Sequence, residues 1–184
     1  LQIGVKNMQN NFIKCLDFTL LPDNDGQPIH KDANDSGGWT SYGITLATYQ
    51  QYFGNNKTVN DLKNMTQDQI QTIYKSFWNS CHCDDLHNGV DLMVFDFAVN
   101  AGIKRSSTVL QKSINSFSNN NIDVDGIIGK NTISCANAIN DSKLIDALLK
   151  EQEDFYKSLK AFKYFGNGWL RRLNDKYKVA LSMI

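Results

Sequence analysis

Residues 90–101 are the most apolar segment of the chain, and they constrain its fold more than any other stretch. The run reads VDLMVFDFAVNA, and Gly102 follows it. A helix that is apolar on most sides must be buried on most sides, and a glycine after the last turn commonly ends a helix. The segment therefore predicts a central helix that other helices surround.

Amphipathic patterns with a helical period lie on both sides of this segment. Thr66 and Gln69 have the spacing of a capping box. The predicted helices span residues 5–20, 45–53, 66–78, 105–117, 132–140 with Thr132 as cap, 142–162, and 169–183 after a turn at 165–169. We expect a mainly α protein of about seven helices, folded as a single compact unit over residues 1–184.

Residues 22–43 do not follow this helical pattern. They are rich in Asp, Asn and Gly, the usual residues of turns, and they hold both prolines of the chain. We expect a polar, Gly-rich loop or a small hairpin after the first helix. A long irregular segment in a compact domain is commonly functional.

The charge balance argues against two classes of partner. The chain has 19 Lys and Arg and 19 Asp and Glu, so its formal net charge is zero. No basic excess favours nucleic acid, and no run of about 18 apolar residues favours a membrane span. No signal peptide is visible after Leu1, and we expect a monomer. Seven cations between residues 157 and 178 are typical of a solvated helix face.

The four cysteines, Cys15, Cys81, Cys83 and Cys135, allow up to two disulfides or reduced thiols. Cys81-His82-Cys83, with His87 nearby, raises the alternative of a zinc peptidase. This spacing differs from the C-x2-C pairs of ordinary zinc sites. DNDG at 23–26 and DVDG at 123–126 do not continue into a calcium-binding loop. We therefore expect no metal and no cofactor.

The segment from Asp35 to Thr45 reads DSGGWTSYGIT and mixes a carboxylate, hydroxyls, glycines and aromatic rings. Glycoside hydrolysis needs two carboxyl groups, and the loop supplies several aspartates. Gly37 and Gly38 allow close backbone approach. Trp39 and Tyr42 offer flat faces for sugars. An ordinary polar turn is the alternative interpretation.

Several segments together resemble one enzyme family. Residues 35–45 follow the D-x-G-G-x-T-x-x-G-I-T signature of glycoside hydrolase family 108, which contains bacterial and phage N-acetylmuramidases. Four further segments agree in the same order: Phe77-Trp78, FDFAVNAG at 95–102, Leu110-Gln111 with VDGIIGKNT at 124–132, and Gly168-Trp169-Leu170-x-Arg172. The resemblance implies a lysozyme-like fold, with a muramidase part over 1–95 and a peptidoglycan-binding-like helical part over 96–184.

The sequence departs from the family at the catalytic acid. The family's acid is the Glu of an E-G-G-Y motif just after the first helix, and this chain has no Glu before residue 151. Asp25 is the candidate at that place, one residue further from Asp35 than the family's spacing. Asp23, a Glu changed to Gln27, or loss of hydrolysis with retained glycan binding are the alternatives.

The resemblance implies that Asp25 is the general acid, Asp35 the ionised carboxylate and Thr40 a water-positioning hydroxyl. The substrate-binding candidates are Gly37, Gly38, Trp39, Tyr42 and Asn100. Asn100 is equally suited to an internal hydrogen bond, because it lies on the buried helix. Asp96 on that helix is interpreted as structural, and His30 is an alternative base.

The implied activity is cleavage of the β-1,4 bond between N-acetylmuramic acid and N-acetylglucosamine, as in endolysins. Its partner is the peptidoglycan glycan strand. The protein is then expected to act at the bacterial cell wall or periplasm after secretion or release from the cytoplasm. A catalytically inactive wall-binding or wall-assembly protein on the same scaffold is the alternative.

Overall fold

The computed structural model describes residues 8–20, 29–31, 39–117 and 122–184, with side chains in 11–20, 39–117 and 122–184. The elements are α1 (Met8–Thr19), β1 (Ile29–Lys31), β2 (Trp39–Ser41), β3 (Ile44–Thr45), α2 (Leu46–Phe53), α3 (Val59–Lys63), α4 (Gln67–Ser80), a 3₁₀ turn (Cys83–Asp85), α5 (Val90–Ala101), α6 (Ile103–Asn115), α7 (Lys130–Asn137), α8 (Asp141–Ser158) and α9 (Phe162–Leu181). The mainly α class with a small hairpin after the first helix is confirmed. None of the helices in these ranges is long and apolar enough to cross a membrane.

The chain packs as two compact units. The smaller unit is Leu16–Ser76, and the larger unit combines Leu1–Cys15 with Phe77–Ile184. The functional division at residue 95 that the resemblance implies is a separate question and stays a prediction.

Helix α5 is the core of the larger unit. Every residue from Val90 to Ala98 is buried, and helices α6, α8 and α9 pack against this helix. Its Phe95 ring meets the rings of Phe12 and Trp78 edge to face, with centroids 6.0 and 5.4 Å away. The central helix predicted from the apolar run is therefore present, and Gly102 ends it with a φ of 94°.

The smaller unit combines a three-stranded antiparallel sheet, in the order β1-β2-β3, with short helices. The capping box at the start of α4 is present, since the Thr66 and Gln69 side chains each bond the other's backbone N–H at 3.2 and 3.0 Å. Helix α3 was not expected from the sequence. It has only 5 residues and is held by a second capping box between Thr58 and Asp61.

Two local predictions in the last third of the chain were wrong. Residues 165–169 are helical rather than a turn, because α9 already begins at Phe162. Gly166 faces the Phe162 ring so closely that a Cβ would lie 2.7 Å from it, so the glycine serves packing inside the helix. Thr132 lies within the first turn of α7, which Gly129 precedes as the N-cap residue.

Candidate active site

Thr40 lies in the middle of the central strand of the sheet. Its backbone is paired with His30 on β1 and with Thr45 on β3. A residue in a central strand is held by neighbours on both sides, so its side chain has a fixed base. The half-buried Thr40 hydroxyl is therefore carried by the most constrained part of this sheet.

A two-residue turn connects β2 to β3. Tyr42 and Gly43 have φ values of 51° and 74°, and Ser41 pairs with Ile44 across the turn. Positive φ at both central residues gives the turn that matches the twist of a hairpin. A Cβ on Gly43 would lie 3.0 Å from Tyr74 Oη, whose hydroxyl donates a 2.6 Å hydrogen bond to the Tyr42 carbonyl. The glycine of the G-I-T sequence is thus required by the turn and by Tyr74.

The last two residues of the same signature are structural. Ile44 is buried in the smaller unit. Thr45 is the N-cap of α2, and its hydroxyl accepts a 3.2 Å hydrogen bond from the backbone N–H of Thr48. The T-x-x-G-I-T half of the signature therefore corresponds to a strand, a tight turn, a core residue and a helix cap, in that order.

The two aromatic candidates of the hairpin are both accessible. Tyr42 is 40% exposed, and Trp39 is half-buried. The ammonium group of Lys63 lies 5.3 Å from the centroid of the Trp39 ring. Lys63 thus places a cation within cation–π distance of the Trp39 ring. Lys63 was missed at the sequence level, because it is the last residue of a 5-residue helix that has no recognisable pattern.

The structure describes only one of the remaining predicted site residues. Asp25, Asp35, Gly37 and Gly38 lie outside the described residues. Asn100 lies on α5 in the larger unit and is exposed, and its side-chain amide donates a 2.7 Å hydrogen bond to the Asp96 carbonyl. The structure thus brings Trp39, Thr40 and Tyr42 together on one hairpin and gives Asn100 the internal hydrogen bond that the sequence allowed.

A buried ion cluster connects two segments of the family resemblance. Asp96 of the FDFAVNAG helix accepts from Arg172, of the G-W-L-x-R segment, at 2.7 Å and from Lys176 at 3.0 Å. Burial raises the pKa of Asp96, but Lys176 and Arg172 together outweigh burial and hold it below its usual value. Asp96 is therefore structural, as expected. The interpretation of the whole basic run as a solvated face was wrong for these two cations.

The D-G-x-x-G segment forms a loop that the side chain of Gln111 holds by hydrogen bonds. Gln111 donates to the Asp125 carboxylate at 2.7 Å and to the Ile127 carbonyl at 3.0 Å, and accepts from the Gly126 N–H at 2.9 Å. Gly126 has a φ of 78°, and Ile128 is buried. These residues hold the loop in place and have no catalytic arrangement.

Cys81 and Cys83 are hydrogen-bonded to each other, whereas His82 and His87 contact carboxylates. All four cysteines are free thiols, and Cys81 and Cys83 are buried. His82 lies 3.5 Å from Asp85, and His87 lies 2.8 Å from Asp141. Within the described ranges, no group of three or more His, Cys, Asp or Glu side chains is arranged to hold a metal ion.

Comparison with known proteins gives a family match for each of two parts of the chain. Residues 20–102 match the family model described as glycosyl hydrolase 108, and residues 105–174 match the model described as a predicted peptidoglycan domain. The chain therefore carries a glycosyl hydrolase 108 domain followed by a peptidoglycan-binding-like domain, and the resemblance seen in the sequence is confirmed.

One solved structure supports the same assignment over almost the whole chain. SagA of Brucella abortus is similar with a TM-score of 0.81 and 29% sequence identity, over 95% of this chain and 96% of that one. No curated protein matches the chain. The protein is thus a peptidoglycan-related, lysozyme-like protein whose two domains are both matched by family models.

Proposed function

We propose that the protein is an N-acetylmuramidase that cleaves the β-1,4 bond between N-acetylmuramic acid and N-acetylglucosamine in peptidoglycan. The observation that carries the proposal is the D-x-G-G-x-T-x-x-G-I-T segment within the glycosyl hydrolase 108 match. Its second half is built as a tight hairpin with Thr40 in the central strand. The matched peptidoglycan domain supports the wall as the place of action, reached by secretion or release from the cytoplasm.

Asp25 is assigned the role of general acid. It donates its proton to the glycosidic oxygen as the bond to the leaving sugar breaks. An aspartate carboxyl sits about 1.5 Å further back than that of a glutamate, the length of one carbon–carbon bond. The additional residue between Asp25 and Asp35, relative to the family spacing, gives the backbone length to compensate for this difference.

Asp35 and Thr40 are assigned the other half of the reaction. Asp35 remains ionised and either activates water or stabilises the positive charge that develops on the sugar ring. Thr40 holds that water through its hydroxyl, because its strand is fixed by pairing on both sides. Gly37 and Gly38 allow the backbone to approach the substrate, while Trp39, Tyr42 and Asn100 line the sugar subsites.

One observation favours a second candidate function. The family's catalytic Glu is absent, and the chain has only two glutamates, Glu151 and Glu153. A misplacement of a catalytic group by about 1 Å can cost on the order of a hundredfold in rate. A non-catalytic protein that binds peptidoglycan on the same scaffold is therefore the alternative.

Hydrolysis of purified peptidoglycan tests the assignment directly. Turbidity loss and mass spectrometry of the products are compared for the wild type, Asp25→Asn and Asp25→Glu. We expect new reducing-end N-acetylmuramic acid from the wild type and a decrease of about 10²- to 10⁴-fold in Asp25→Asn, the range for loss of a general acid. Asp17→Asn, an exposed change on α1, is the matched control and should retain full activity.

Each other outcome has a definite meaning. Equal activity of the wild type and Asp25→Asn removes Asp25 from the mechanism, and Asp23→Asn and His30→Ala are then compared. Activity in Asp25→Glu alone means that the aspartate is too short to act as the acid. A wild type that sediments with the wall without cutting it contradicts the muramidase and favours the binding protein.

A further inference from the structure

A row of aromatic rings, two of them exposed and two half-buried, lies where helices α8 and α9 meet in the larger unit. Tyr164 and Phe165 are 73% and 60% exposed. Their ring centroids are 6.3 Å apart, Phe165 is 5.9 Å from Trp169, and Trp169 is 5.6 Å from Tyr156. We refer to these four residues as the aromatic ledge. Exposed rings of this size are unusual on a protein surface and mark an interaction site when they are contiguous.

The rings of the ledge follow one another at moderate and large tilts. The interplanar angle is 34° between Phe165 and Trp169 and 35° between Trp169 and Tyr156, whereas Tyr164 and Phe165 meet at 63°. The ledge is therefore a contiguous aromatic surface with ring faces in more than one direction. Gly168 keeps the helix surface beside Trp169 open, since no atom outside its own helix lies within 4 Å of the Cβ position.

Cations lie beside the ledge. Residues 155–174 contain five Lys and Arg, although Glu153, Asp154 and Asp175 flank this segment and Lys157 is paired with Glu153 at 2.5 Å. Arg172 is paired with the buried Asp96, but Lys163 is exposed and its ammonium lies 4.7 Å from the Tyr164 centroid. At the inner end of the row, the Arg105 guanidinium lies 4.8 Å from the Phe155 ring. An occupant of this surface should combine flat apolar faces with negative charge.

We propose that the aromatic ledge is a second, non-catalytic binding surface for peptidoglycan. The rings receive the apolar faces of the pyranose units, and Lys163 and its neighbouring cations attract the carboxylates of the lactyl groups and stem peptides. The inference rests on peptidoglycan as the partner in the proposed function. It adds the place at which the second domain binds the wall. The residues involved are far in sequence from Asp25, Asp35 and Thr40.

The position of the ledge favours the cell wall over a lipid surface. Aromatic and basic side chains also suit anionic membranes. All four ledge residues, however, lie within residues 105–174, the part matched by the predicted peptidoglycan domain.

Co-sedimentation with purified peptidoglycan sacculi tests the proposal, using the full chain in the cold to limit digestion. The variants are the double change Tyr164→Ala/Phe165→Ala and the charge reversal Lys163→Glu. Both alter exposed side chains, so folding should be unaffected. We expect each variant to bind at least about tenfold more weakly, equivalent to about 1.4 kcal/mol. Lys163→Glu should also reduce the dependence of binding on salt.

Matched controls separate the ledge from general surface effects. Phe117→Ala removes an aromatic side chain that is 45% exposed on the same matched domain but not part of the ledge. Lys178→Glu reverses an exposed charge on the same helix. Both should bind sacculi as the wild type does. All variants should cleave short soluble glycan fragments at the wild-type rate, because these reach the catalytic residues without the second surface.

The outcomes distinguish this inference from the proposed function. Wild-type-like binding by both ledge variants overturns the inference and leaves the muramidase untouched. Ledge-dependent binding without cleavage supports the inference and contradicts the muramidase. A wild type that cleaves but is not retained by sacculi also overturns the ledge, and one that does neither contradicts both. Vesicles of phosphatidylglycerol provide the last arm: ledge-dependent binding to vesicles but not to sacculi makes the ledge a membrane surface and overturns the proposal.

Discussion

Lys176 shows how strongly one residue can determine the packing of several helices. Its side chain on α9 is only 1% exposed, yet its ammonium bonds Asp96 on α5 at 3.0 Å and Gln152 on α8 at 2.7 Å. The amide of Gln152 in turn donates to the Met93 carbonyl at 3.0 Å. Burial lowers the pKa of Lys176, and Asp96 acts in the opposite direction. A buried charge is tolerated only when such partners replace water.

Replacement of Lys176 by Met should therefore be costly although the shape is nearly retained. Asp96 keeps Arg172 as a partner, so we expect a loss near the lower end of the range for breaking a buried pair, about 3 kcal/mol. Chemical denaturation measures this loss. Lys178→Met is the control, because Lys178 is 75% exposed and lies 3.6 Å from Asp175. Similar unfolding midpoints for the two variants would contradict the role assigned to Lys176.

Some single residues of the site could be predicted from the sequence, and others could not. Gly43 and Thr45 were part of a recognisable pattern, and the structure gives each a local reason, a turn and a helix cap. Lys176 had no such signal, because a helical lysine ordinarily faces solvent and its partners lie on two other helices. Of this cluster, only Asp96 was interpreted as structural from the sequence.

At the scale of elements, the D-G-I-I-G loop illustrates how an irregular segment acquires a fixed shape. It has no secondary structure of its own between Ile122 and Gly129, but Gln111 on α6 satisfies its backbone. The Gln111 bond also holds the pKa of Asp125 below its usual value, together with the Ile127 N–H. The shape of the loop therefore depends on hydrogen bonds from a side chain of α6.

Gln111→Ala should loosen this loop and destabilise the larger unit. The change leaves the Gly126 N–H and the Ile127 carbonyl without their partner, and each unpaired group costs about 1–3 kcal/mol. We expect a lower unfolding midpoint and faster amide hydrogen exchange at residues 125–127. Lys112→Ala, the adjacent exposed position on α6, should change neither. Unchanged exchange in Gln111→Ala would show that the loop holds its shape independently.

Helices with a clear period were predicted well, and short or glycine-containing ones were not. Helix α5 was evident because its apolar run is long and continuous. The start of α9 was missed because Gly166 and Gly168 indicate a turn in a local pattern. The contact between Gly166 and the Phe162 ring that permits a helix there is visible only in three dimensions. Helix α3 was missed because 5 residues are too few to show a period.

For the whole molecule, the buried carboxyl group of Asp91 makes stability depend on pH. Asp91 is 1% exposed, and burial raises its pKa from 3.8 to about 7, despite hydrogen bonds from the Leu92 N–H and the Asn11 amide. The folded chain therefore binds this proton more tightly than the unfolded chain does. The protonated Asp91 carboxyl group contributes its full stabilisation, about 4 kcal/mol, below about pH 4. This contribution is lost as the pH rises through 7.

Asp91→Asn should remove this dependence, because asparagine carries no charge at any pH. Unfolding free energies measured from pH 4 to pH 8 should fall less steeply in the variant than in the wild type. Asp175→Asn is the control, since Asp175 is 57% exposed and should leave the slope unchanged. Asp96 should not affect this slope. Its pKa is lowered, so its titration changes the stability only below about pH 4. Parallel curves for Asp91→Asn and the wild type would contradict the assignment.

The family resemblance was recognisable from sequence because five short segments occur in a fixed order. The catalytic assignment was less determined, since the segment between α1 and β2 is polar and has no period that places its side chains. The roles of Asp25 and Asp35 are therefore inferred from the family pattern, and the proposed experiments test them. Thr40, Trp39 and Tyr42 rest in addition on the hairpin that carries them.

The free thiols described above bear on where the chain can acquire its fold. Burial raises the pKa of the Cys15 and Cys83 thiols, which keeps them protonated and poor nucleophiles. No disulfide joins the four cysteines in the structure, so we expect its packing to persist in a reductant, the condition of a glutathione-buffered interior.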